Sequence, residues 1–153
     1  MPVLVGSFQD FIAEGVQPDE TPEVQAFLSA MRVAAGEHPG RVCYISAADF
    51  AHIGRRFGDD WPLDKQRLAE QSADDRKLLA AACGCDPAGF FLHVAGQQDR
   101  SRICGLSPTY TMLALMESAR GELLKYAQVV EPDGNSCVSF ASVAFFDNDP
   151  TEG

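Results

Sequence analysis

A carboxylate, an imidazole and a thiol set the chemical question in this chain. Asp49 and His52 stand three residues apart in Asp49-Phe50-Ala51-His52-Ile53-Gly54, directly after the apolar run Val42-Cys43-Tyr44-Ile45. Cys104 comes much later, in Arg102-Ile103-Cys104-Gly105-Leu106-Ser107-Pro108. The end of a buried strand is where α/β proteins put ligand chemistry. A neutral imidazole is the commonest metal ligand, and a carboxylate beside it either ligates or orients it. Cys104 precedes a predicted helix N-terminus, whose dipole favours the thiolate that ligates metals or attacks electrophiles. The same residues admit a plainer reading, in which Asp49 caps the segment after the strand, His52 bonds to it and Cys104 is a half-buried small hydrophobe.

Other polar residues read more simply. Arg55 and Arg56 could clamp a substrate carboxylate or phosphate, or pair internally with Asp59 and Asp60. His38, in Glu37-His38-Pro39-Gly40, reads as a solvated turn residue, and His93 as a helix-surface or half-buried one. Cys83-Gly84-Cys85 reads as a helix end stopped by Gly84, since metal knuckles space their cysteines by two residues. Asn135, Ser136 and Ser139 suit turn and strand positions.

The elements that must position these groups follow from pattern. Pro2-Val3-Leu4-Val5 and Val42-Cys43-Tyr44-Ile45 are continuous apolar runs, read as strands buried on both faces. Between them Thr21-Pro22 opens a helix carrying Val24, Phe27, Leu28, Met31 and Ala35, so the start reads as a right-handed β-α-β unit with parallel strands. Asp60-Trp61-Pro62 precedes a polar helix to about Ala82, and Asp86-Pro87 caps a helix with Phe90, Phe91 and Val94. Ser107-Pro108 starts another helix, apolar on a broad face and therefore buried. Leu123 to Val130 and Cys137 to Phe146 read as strands joined through Pro132-Asp133-Gly134-Asn135, an antiparallel hairpin. The expected fold is α/β: a three-layer-like mixed sheet flanked by helices, with a β-α-β start and a C-terminal antiparallel hairpin. Residues 1–147 are expected to form a single domain, and residues 148–153 a short acidic tail.

Composition narrows the function classes. The chain has 153 residues and a formal net charge of −10, which argues against a nucleic-acid partner, because such binding draws on clustered Lys and Arg. No apolar run approaches the ~20 residues of a membrane span, and no secretion-signal pattern opens the chain, so a cytoplasmic location is expected. Five irregularly spaced cysteines suit reduced thiols better than a disulfide framework.

Three strings, DFAHIGRRFGDDWPLD, RICGLSP and LLKYAQVVEPDGNSCVSFASVAF, resemble in order and spacing the carboxy-terminal half of the Memo-like family, which includes the AmmeMemoRadiSam system protein B. The opening PVLVGSF run agrees. The resemblance implies a fold similar to the class III extradiol dioxygenases, with a metal cleft and redox or oxygen-dependent activity on an unsettled substrate. It makes Asp49, His52 and Cys104 metal ligands, with His52 and Cys104 as catalytic candidates. A thiolate, an imidazole and a carboxylate together suit iron or copper. The family's other cleft histidines come from an amino-terminal half without a counterpart here, and neither His38 nor His93 stands in a matching context. The resemblance thus implies a cleft completed by a homo-oligomer or a separate polypeptide. The alternative is a truncated, non-catalytic binding or adapter module.

Overall fold

The computed structural model describes residues 1–116 and 119–147; the expected tail at 148–153 lies outside them. The chain runs α1 (Gln9–Glu14), a 3-10 turn (Pro18–Glu20), α2 (Pro22–Glu37), β1 (His52–Ile53), a second 3-10 turn (Arg55–Phe57), α3 (Lys65–Cys83), α4 (Pro87–Ala95), α5 (Leu106–Leu115), β2 (Ala119–Val130) and β3 (Cys137–Asp147). Local chemistry sets the helix starts. Asp64 and Asp86 accept the backbone N–H of Arg67 and Gly89, both at 2.8 Å, caps worth about 1 kcal/mol each. Pro22 occupies the first turn of α2, where its missing N–H costs nothing.

The three strands form one antiparallel sheet in the order β1-β3-β2. Asp133 folds the hairpin turn by accepting the N–H of Asn135 at 2.9 Å. Along β2 the register steps between Leu123, opposite Val143, and Lys125, opposite Ser142, so Leu124 is an extra residue and the strand is bulged there. Because of that extra residue, Leu123 and Tyr126 both pack against the core although they lie three apart. α3 lies against β2 and β3, α4 against α3, α5 against α4, and α2 against α5. Phe90, Phe91, Leu78, Leu113 and Tyr110 are almost wholly enclosed between these layers, each worth roughly 1.5–3 kcal/mol of burial.

The mixed α/β class and the closing hairpin agree with the sequence reading, but the β-α-β start does not. Pro2–Val5 and residues 42–45 join no ladder, and Leu4 is fully exposed and Ile45 82% exposed. Apolar composition signals a wish for burial, whereas a strand also requires a neighbour's backbone, and neither run pairs with one among the described residues. The sheet is therefore antiparallel throughout. The helices cover one of its faces, while Val129, Phe140 and Phe146 stay exposed on the hairpin. No helix among the described residues is long and apolar enough to cross a membrane.

Candidate metal centre

Two sets of backbone hydrogen bonds bring residues 49–52 and 101–105 together. On one side, the N–H of Phe50 donates to the Ser139 carbonyl at 2.8 Å and the N–H of Ser139 to the Ala51 carbonyl at 3.0 Å. The buried Ser139 hydroxyl accepts the Ala51 N–H at 3.0 Å. On the other side, His52 N–H donates to the Ser101 carbonyl at 2.7 Å and Gly105 N–H to the Asp49 carbonyl at 2.9 Å. A Cβ at position 105 would lie 2.6 Å from that carbonyl, so only glycine permits the approach. Cys104 is thereby held beside Asp49 and His52, and its Sγ donates to the Asp49 carbonyl at 3.3 Å.

One donor atom from each of Asp49, His52 and Cys104 lies within 4.8 Å of the others, the set that the sequence reading singled out. His52 Nε2 is 3.9 Å from Asp49 Oδ2. His52 Nδ1 is 3.1 Å from two carbonyls, those of Phe50 and Arg102. Carbonyls only accept, so the proton belongs on Nδ1 and the lone pair on Nε2, at the end of the ring nearer Asp49. Phe57 packs edge-on against the imidazole, with centroids 5.1 Å apart. Metal–ligand bonds of about 2.0–2.3 Å need the three donors slightly closer together, a movement that rotation of the half-exposed Asp49 carboxylate can supply.

The Cys104 thiol departs from expectation. Burial pushes its pKa up, the hydrogen bond to Asp49 opposes this, and the Asp49 and Asp99 carboxylates add to the rise. Gly105 caps α5, so Cys104 stands ahead of the helix and not in its first turn.

The arginines divide. Arg55 is exposed, whereas Arg56 pairs with Glu131 and its N–H reaches the Asn135 carbonyl at 3.1 Å. Asp59 is engaged by Arg102 at 2.9 Å and by the Gly54 N–H at 2.7 Å, with neither neighbouring arginine. His93 is 3.3 Å from Asp74, and His38 is exposed. Sequence reasoning reads Arg100 and Arg102 as a small basic group able to hold an anion; it missed the contacts of Arg102 with His52 and Asp59, and the buried chain in which Tyr126 donates to Asp75 at 2.7 Å, Gln71 to Asp75 at 2.9 Å and Ser101 to Gln71 at 2.8 Å. A buried acid in the polar helix α3 was the only available signal, and it looks like any surface aspartate in the sequence.

The family model for Memo-like proteins matches residues 17–144. A MEMO1 family protein from Aquifex aeolicus (strain VF5) is 29% identical over 105 residues, covering 67% of this chain. The matched region is 26% of the Aquifex protein, so the chain spans only part of that relative's length. The family match runs through the Asp49–His52 turn, Cys104 and nearly all of the hairpin, and on that breadth the chain belongs to the Memo-like family.

Proposed function

We propose that Asp49, His52 and Cys104 hold a redox-active transition metal, iron or copper, and that the protein carries out metal-dependent redox or dioxygenase-like chemistry on a small substrate in the cytoplasm. The observation that carries this reading is the commitment of the His52 proton to Nδ1, which leaves the Nε2 lone pair 3.9 Å from the Asp49 carboxylate in the group that Cys104 completes. A bound metal would supply electron transfer or polarise a substrate oxygen. The protein's own part is to orient and to exchange protons. The two carbonyls hold the imidazole, the Asp49 carboxylate accepts positive charge, and Cys104 must give up its thiol proton as the site fills. Arg55, exposed on the turn after β1, is available to an anionic substrate.

Elemental analysis of protein purified without chelator tests the reading. Near-stoichiometric iron or copper is expected, with loss in His52→Ala and Cys104→Ala; negligible metal, or metal indifferent to both substitutions, refutes it.

A second reading rests on a different observation. The sheet edge of β3 beyond Ser139 and the extended residues 41–48 bound an open cleft of about 1260 Å³, in which Val143, Phe145 and Met112 meet Tyr44. A cleft of mixed polar and apolar lining beside an unpaired strand edge suits a binding or adapter module that takes a strand from a second copy or a separate chain. Light scattering separates the readings: a dimer or co-purifying chain supports the adapter, and a stable monomer counts against it.

A further inference from the structure

Arg102 holds His52 at two points although the two are fifty residues apart in sequence. Its carbonyl lies 3.1 Å from His52 Nδ1, and its guanidinium Nη1 donates to the His52 carbonyl at 3.1 Å. The same guanidinium donates from Nη2 to Asp59 Oδ1 at 2.9 Å, and Asp59 Oδ2 in turn accepts the Gly54 N–H at 2.7 Å. Arg102 has φ +52°, a left-handed conformation that a non-glycine residue adopts only where its surroundings require it. Gln98 and Asp99 share that unusual backbone, at +53° and +48°, so the strain is concentrated in the loop that ends at Cys104. Arg102 N–H donates to the Asp99 carbonyl at 2.9 Å, and the Asp99 carboxylate accepts Ile103 N–H at 2.8 Å, which fixes the loop in this shape.

We infer that Arg102 is a positioning residue, whose left-handed backbone and Asp59-anchored guanidinium fix the direction and proton of the His52 ring. Phe50 offers Nδ1 a second carbonyl, but from two residues away on the same segment, so it moves with His52. The Arg102 carbonyl belongs to another loop and locks the ring against that frame. The pairing gives Arg102 two jobs that lysine cannot combine, since one ammonium does not reproduce the planar fork that spans the His52 carbonyl and Asp59. The consequence for metal binding rests on the reading above; the effect on His52 itself does not.

Histidine-selective ¹⁵N labelling with long-range ¹H–¹⁵N correlation reports the tautomer of each of the three histidines in metal-free protein. His52 is expected to carry its proton on Nδ1 in the wild type and to average between tautomers in Arg102→Ala, with His93 unchanged as internal control. Arg102→Gly, which keeps the left-handed backbone at no cost, is expected to fall between them. Cobalt(II) absorption then reads ligand geometry, with affinity about 10- to 100-fold weaker in Arg102→Ala. Asp59→Ala, which removes the anchor and leaves the residues of the 98–104 loop unchanged, serves if the Arg102→Ala variant does not fold. A folded variant with the wild-type His52 signature overturns the inference, whatever its cobalt affinity. If wild-type protein has the Nδ1 tautomer and takes up no cobalt, the metal reading fails while the positioning role stands.

Discussion

Two aspartate–histidine pairs lie in this molecule with imidazoles of nearly equal exposure, 19% for His52 and 22% for His93. They differ in which ring nitrogen is engaged. His93 Nε2 is 3.3 Å from an Asp74 carboxylate that also accepts from Gln97 at 2.8 Å and lies near Lys77, which satisfies and encloses the pair. His52 uses Nδ1 on backbone carbonyls, and its Nε2 stands 3.9 Å from the Asp49 carboxylate. One pair closes on itself and the other stays open at one end. Composition and burial do not separate these two histidines; their hydrogen bonds do.

The first expected effect separates the pairs outright. His93→Ala should leave metal content at the wild-type level while lowering stability by about 1–3 kcal/mol in urea denaturation, because Asp74 loses a partner. Loss of metal from the His93 variant, if it stays folded, would erase the distinction.

A second contrast concerns the backbone frames. Gly54, just after His52, has φ +107°, and a Cβ there would sit 2.5 Å from the Asn135 carbonyl oxygen. Gly96, near His93 at the end of α4, has ordinary helical φ and a milder approach of 3.1 Å to the Leu92 carbonyl oxygen. Gly54→Ala should cost about 3 kcal/mol in chemical denaturation and Gly96→Ala about 1 kcal/mol or less. Equal costs would mean that the frame around His52 is no more tightly drawn than the one around His93.

The smallest effect is a pH dependence beneath the His52 strand. Cys137, opposite Ile53 in the sheet, is buried, and desolvation followed by the nearby Asp75 charge pushes its thiol up to about 11. An unfolded thiol titrates near 8.5, so the folded state keeps the proton that the unfolded state loses, and stability falls as pH rises from ~8.5 toward that folded value. The thermal midpoint should drop across this window, and less steeply in Cys137→Ala. Identical slopes would remove Cys137 as a contributor.

Much of the architecture was legible because it is locally encoded. Asp86-Pro87, Thr21-Pro22 and the Pro132–Asn135 turn each carry their own geometry in a few residues, and the structure follows them. The grouping of Asp49, His52 and Cys104 was legible through family wording, since no periodicity links a strand end to a thiol so far along the chain. Val3, Leu4 and Ile45 misled because hydrophobicity reports affinity for an interior and says nothing about whether a pairing strand is present. The contacts of Arg102 were invisible for another reason: a left-handed arginine and its pairing with Asp59 are properties of loop closure, without a local signal.

The extra residue at Leu124 sets which face the two halves of β2 present to the helices. Upstream of it, Gly121 lies so close to Cys83 that a Cβ would come within 2.7 Å of that residue's Cα; downstream, Tyr126 reaches Asp75. Both anchors belong to α3, and a strand with strict two-residue alternation could satisfy one of them and turn the other toward water. Leu124, itself 58% exposed, can therefore change side chain cheaply, and without it Leu123 and Lys125 would still face the consecutive residues Val143 and Ser142, with Gly121 and Tyr126 on one face of a regular strand. What this strand has to keep is the face on which its two anchors stand, and the bulge is how an odd spacing between Gly121 and Tyr126 keeps it.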